Sequence, residues 1–129
     1  MPKSVFLKLP PIKGDSTEQG HQGEIEILSY SYSPGQPGTL TQDRLKEVDL
    51  TYRQGEYSPF LMEACASQRL FPSAVVTATY SKDGAVKGIM RINMKGVTVA
   101  SFRRPGSSGK EIPIESITLD FADVEIQYL

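Results

Sequence analysis

Apolar and polar residues alternate along much of this chain, and in three places the alternation changes phase. In EIEILSYSYS, residues 24–33, Ile25 and Ile27 hold odd positions, whereas Leu28, Tyr30 and Tyr32 hold even ones. Side chains of a strand alternate faces with period two, so a change of phase moves the apolar set to the other face. The same happens at Gly96. Val86, Gly88, Met90, Ile92 and Met94 share one face, opposite Lys87, Arg91, Asn93 and Lys95, and the apolar set then resumes at Val97 and Val99. It happens again near the end, where Ile117, Leu119 and Phe121 give way to Val124, Ile126 and Tyr128.

A β-bulge adds one residue, bends a strand and re-aims the side chains beyond it, and Gly96 suits one. A strand that turns a corner can also leave one packed surface and join another, as in orthogonal sandwiches and small barrels. Two other origins stand beside these. Half of each strand can face a neighbouring subunit, or each stretch can be two short strands. Bending within a rolled sheet covers all three inversions with one device.

The rest of the pattern supplies the remaining elements. Val5 to Leu9 is a short strand closed by Pro10-Pro11, and KGDSTEQGHQG is a polar loop. SPGQPGTLTQD, residues 33–43, has two Pro- and Gly-containing breaks and little apolar content, which predicts a long exposed connection. Val48, Leu50 and Tyr52 alternate as a strand. A helix is predicted from Ser58-Pro59, with Ser58 as N-cap and Phe60, Leu61, Ala64 and Cys65 as one apolar stripe. AVVTATY is a strand, Asp83-Gly84 marks a hairpin turn, and RRPGSSGKE is a second loop. The prediction is a mainly β protein: a small barrel or sandwich of antiparallel strands, with bent long strands and one short α-helix, in one domain over residues 1–129.

Composition narrows the function. Lys and Arg number 14 against 15 Asp and Glu, which argues against a dedicated nucleic-acid binder. The only cysteine, Cys65, excludes an intrachain disulfide. The apolar run near the N-terminus is broken by Lys8 and ended by Pro10, too short for a signal peptide or a membrane span. Neither membrane insertion nor a cleaved leader is expected.

Little catalytic chemistry is visible. His21 is the sole histidine and lies in a polar loop, so a nucleophile would have one base to use. One His and one Cys make no zinc set, and no catalytic, cofactor or metal residue is assigned. Glu24/Glu26 and Asp123/Glu125 alternate with apolar residues as solvated strand faces. Arg103-Arg104 beside PGSSGK is the most phosphate-like feature, and a charged exposed loop explains it equally well. Tyr30 and Tyr32 suit either sheet packing at an interface or an aromatic platform for sugar. The second choice would make the chain a monomeric β-sandwich that binds carbohydrate or another ligand.

The order of these features resembles the Hcp family, the haemolysin-coregulated proteins of bacterial type VI secretion. The resemblance rests first on FLKLPPIKGDSTEQGHQGEIEILSYSYS, through Ile12, Lys13, Gly14, Asp15, Ser16, His21, Glu24, Ile25 and Leu28. SPFLMEACASQRLFP is similar to the family's helix, and TLDFADVEIQY to its last strand. Tyr30 and Tyr32 stand where members often carry tryptophans, the 33–43 loop lacks the glycine run of some members, and the sequence stops without the C-terminal tail many relatives have. The resemblance implies a β-barrel that forms homo-hexameric rings, stacked into the inner tube of the secretion apparatus. Such proteins are made in the cytoplasm, are themselves secreted, carry effector proteins in the ring lumen, and meet a spike and an outer sheath. Phage tail tubes share the architecture. The loop Pro34, Gly35, Gln36, Pro37, Gly38, Thr39, Leu40, Thr41, Gln42 and Asp43 is then expected to mediate ring stacking. Leu28, Tyr30 and Tyr32 are the expected subunit-interface strand.

Overall fold

A computed structural model of the chain describes residues 3–17, 20–34, 45–82, 85–104 and 113–128. It contains β1 (Lys3–Lys8), β2 (Ile25–Ile27), β3 (Ser29–Pro34), β4 (Leu45–Arg53), α1 (Ser58–Ser67), β5 (Phe71–Lys82), β6 (Ala85–Arg103) and β7 (Ile114–Tyr128). The Asp83-Gly84 turn, the 105–112 loop and all of the predicted stacking loop beyond Pro34 lie outside the described residues. The strands form one seven-stranded sheet in the order β2-β1-β5-β6-β7-β4-β3. Every pairing is antiparallel.

The inversion in EIEILSYSYS is a break between two strands rather than a bend within one. Ile25 and Ile27 are buried on β2, which pairs with β1 at one edge of the sheet. Tyr30 and Tyr32 belong to β3, which pairs with β4 at the opposite edge, opposite Leu50 and Val48. Only Leu28 lies between the two strands. Two Cα steps reach roughly 7 Å, so the two edges of the sheet must meet there, and the sheet must roll up. The Leu28 N–H donates to the Thr51 carbonyl at 2.7 Å and fixes the junction to β4. The result is a nearly closed barrel, one of the two architectures the patterning allowed, and not a sandwich.

The other two inversions fall within continuous strands and lie in one row across the sheet. Phe71 of β5, Val97 of β6 and Phe121 of β7 are register partners, as are Ala74, Met94 and Val124. Between those rows each strand points two successive residues away from the core: Pro72-Ser73, Lys95-Gly96 and Ala122-Asp123. The sheet is creased along this line. Gly96 is not a bulge, because pairing passes through it in register on both sides, and the register shifts instead at Tyr80/Ser81 and Val99/Ser101. Gly96 reorients the strand through a left-handed backbone, φ 62°. A Cβ there would also meet the Ala122 Cβ at 3.0 Å.

The core takes Val5 and Leu7 of β1, Val48, Leu50 and Tyr52 of β4, Val76 of β5, Ile92, Met94, Val97 and Val99 of β6, and Ile117 and Leu119 of β7. The helix packs over β6 through Leu61 and Ala64, and Phe60 is 59% exposed, so its apolar stripe is narrower than the spacing suggested. Tyr57, not Ser58, occupies the N-cap. Ser58 is buried, and its hydroxyl accepts a hydrogen bond from the Gly55 N–H at 3.1 Å, which engages it before the helix begins. Pro59 fits the first turn, as predicted. Gln68 ends the helix in a left-handed conformation, and the Arg69 N–H returns to the Ala64 carbonyl at 3.0 Å.

Replacing Gly96 by alanine is expected to cost about 1–3 kcal/mol, combining a disfavoured φ with the Ala122 contact, and valine should cost more. Urea unfolding of the two variants would measure this; an unchanged midpoint for both would show that the crease does not depend on the glycine.

Candidate functional site

The residues expected at a subunit interface lie where the two sheet edges meet. Leu28 is 38% exposed at the bend between β2 and β3. Tyr30 is half-buried and packs against the core. Burial, and next the nearby Tyr128 hydroxyl, push its phenol above the ordinary 10.0. Ser29 and Thr51 share a hydroxyl–hydroxyl hydrogen bond across β3 and β4.

The residues of IKGDS and the single histidine build a turn over the outer side of β1. The Gly14 N–H donates to the Gly23 carbonyl at 2.8 Å, and the Ser16 N–H to the Glu24 carbonyl at 3.0 Å. A Cβ on Gly14 would fall 2.3 Å from the Glu24 carbonyl oxygen, so only glycine lets the two segments approach this closely. His21 stacks on Phe6 with ring centroids 4.3 Å apart and planes at 6°. Its Nδ1 lies 3.2 Å from Glu24 Oε1. Phe6 points away from the core side of β1 and is still only 3% exposed. These contacts commit the histidine to structure.

The outer face of β4, β6 and β7 is polar. Thr118 donates to Asp49 at 2.6 Å beside an open groove of about 590 Å³ that also touches Glu47, Thr51, Ser101 and Arg103. Beyond the crease, Asn93, Lys95, Asp123, Glu125 and Gln127 line a second groove of about 430 Å³. Neither groove contains the histidine or the cysteine of the chain. Among the described residues no group of three or more His, Cys, Asp and Glu is placed to hold a metal ion. No helix among them is long and apolar enough to cross a membrane.

Sequence patterning does not single out Glu115, although it stands on the inward side of β7 in line with Ile117 and Leu119. An acidic residue in phase with an apolar set is the available signal. It is fully buried, and Arg104 Nε donates to its Oε2 at 2.9 Å. Arg104 is therefore engaged with a buried carboxylate rather than free for phosphate. Tyr52 is the register partner of Glu115 and meets Tyr57 edge to face at 5.6 Å. Tyr57 donates in turn to the Arg53 carbonyl. Burial, reinforced by the Glu115 charge, drives the Tyr52 phenol far above its ordinary value. Burial first, and then the carboxylates of Asp15, Glu115 and Glu26, push Tyr57 up to about 12.

A rolled antiparallel sheet with polar outer grooves and a histidine held by packing suits a scaffold or assembly protein, and fold alone does not fix the role. Comparison with known proteins identifies which kind. The sequence model of the family described as "Type VI secretion system effector, Hcp" matches residues 6–128. The chain belongs to the Hcp family of type VI secretion. It is 28% identical to "Protein hcp1" of Pseudomonas aeruginosa, over 99% of this chain and 84% of that protein. It superposes on the crystal structure of Hcp1 from Salmonella typhimurium with a TM-score of 0.83 and 26% identity, covering 100% of this chain and 87% of the other. A type VI secretion system effector from Yersinia pestis shares the fold, with a TM-score of 0.74 and 18% identity over 97% and 98% of the two chains. Members of this family are tube proteins of the apparatus; their known role is to stack hexameric rings and carry effectors, a structural role and not an enzymatic one.

Both buried phenols have folded pKa values above their unfolded one, so the stability they contribute is complete below pH 10 and is lost as pH rises through the folded value. Between pH 10 and 12 Tyr57 alone is expected to remove on the order of 1–3 kcal/mol. Tyr52→Phe removes the phenol that faces Glu115 and should reduce the alkaline loss. Urea titrations at pH 8 and pH 11 test this, and identical alkaline losses with and without Tyr52 would exclude its part in the effect.

Proposed function

We propose that six copies of this chain, each acting as one domain over residues 1–129, close into a ring, and that the rings stack into the inner tube of a type VI apparatus. The match to the family over residues 6–128 is the observation that carries this reading. A ring joins two different surfaces of each copy, because the contact is heterologous. The exposed Leu28 and the edge strand β3, with Tyr30 and Tyr32, supply one of them. The loop from Pro34 to Asp43 mediates stacking between rings. The spike and the sheath are the other partners of the tube, and effector proteins occupy the lumen. The chain is made in the cytoplasm and leaves through the apparatus.

Sedimentation and negative-stain microscopy test the ring directly. A ring-shaped particle of six times 14.2 kDa is expected, and a monomer at every concentration would overturn the proposal. Replacing residues 35–43 by a short turn should leave single rings that no longer form tubes; undiminished tube growth would exclude the loop from stacking. Leu28→Asp should shift the particle toward monomer while the circular dichroism of the sheet is preserved. A ring of unchanged mass would remove Leu28 from the interface.

A further inference from the structure

We propose that Arg104 and the buried Glu115 form a half-buried ionic latch that holds the helix end of the barrel shut, so that this end opens locally as one unit when the latch is broken. The pair joins three elements. Arg104 directly follows β6, and Glu115 is the second residue of β7, opposite Tyr52 near the end of β4. Glu115 has no exposed surface, whereas the Arg104 side chain is 39% exposed. The two partners are therefore unequal. Without Glu115 the guanidinium still reaches water, but without Arg104 the carboxylate stays inside the barrel with its countercharge gone. The guanidinium also stands over the Phe102 ring, 5.9 Å from its centre, which holds it in place over Glu115.

From this pair the contacts run outward to α1. The Tyr52 ring meets Tyr57, the N-cap of α1, and the Tyr57 hydroxyl donates to the Arg53 carbonyl at the end of β4. The Gln54 N–H donates to the Pro113 carbonyl at 2.9 Å, tying the exit of β4 to the entry of β7. The crease lies between this cluster and the far half of β6 and β7, whose register pairs run from Met94↔Val124 to Met90↔Tyr128. Opening at the helix end therefore leaves those pairs intact.

Hydrogen exchange on the full chain reads the latch residue by residue. Arg104→Met should accelerate exchange at least about tenfold in residues 51–61 and 114–117, and leave Val76, Ile92 and Met94 unchanged. Glu115→Gln removes the charge that needs compensation. Glu115→Gln alone should therefore be mild, and combined with Arg104→Met it should return exchange close to the wild-type rate. Acceleration spread evenly over the barrel, or a double variant as open as Arg104→Met, would overturn the proposal. If Arg104→Met does not fold, the double variant decides: a folded barrel supports the latch, and an unfolded one refutes it.

Discussion

The architecture depends on how little chain separates β2 from β3. The strands lie at opposite ends of the sheet order, yet Leu28 alone joins them. A flat or gently twisted seven-stranded sheet would hold its edges tens of ångströms apart, at roughly 4.8 Å per strand. Leu28 makes that geometry impossible. Closure is thus written into connectivity, and packing only has to fill the interior that connectivity encloses.

Filling that interior with strands as long as β6 and β7 brings its own demand. A strand that tracks a curved wall must keep its apolar set inward while its direction changes, and strict alternation cannot do both. The crease meets this demand in three neighbouring strands at one level. Each presents two consecutive outward residues there, and only β6 needs a left-handed residue to do so. Polar residues line the outer face on both sides of the crease, Thr118 and Ser101 on one and Asn93 and Gln127 on the other.

Much of this is legible in the sequence because burial imposes period two and leaves a visible error wherever the geometry changes. The inversions at Gly96 and after Phe121 locate the crease to within a residue or two. They do not show that they lie side by side, since register is a property of pairing. The phase change at Leu28 looks the same and has another cause, a strand break, because alternation reports faces and not neighbours. Ser58 is a sound N-cap candidate by residue type, but Gly55 captures its hydroxyl first. Phe60 fits the helical spacing and still faces outward, since the helix touches the barrel along a narrow line. Glu115 escapes notice because charge patterning treats acids as surface residues, and its partner Arg104 lies 11 residues earlier in the sequence. The family is readable from Gly14, His21 and their neighbours, whose contacts over β1 tie them into one turn in this chain.

The order of strands also divides the chain by time of synthesis. The N-terminal half makes two hairpin-like pairs, β1 with β2 and β3 with β4, and the β5–β6–β7 meander fills the space between them. Lys3 pairs with Tyr80, and Arg53 with Ile114, so neither early pair has its inner neighbour until late in translation. A ribosome adding about 5–20 residues per second leaves the first strands waiting several seconds for the strands that complete the sheet. During that interval the inner edges of β1 and β4 are open to any extended chain nearby. The barrel is therefore a structure whose first half acts as an open clasp, and the last strand made is the one that lets it shut.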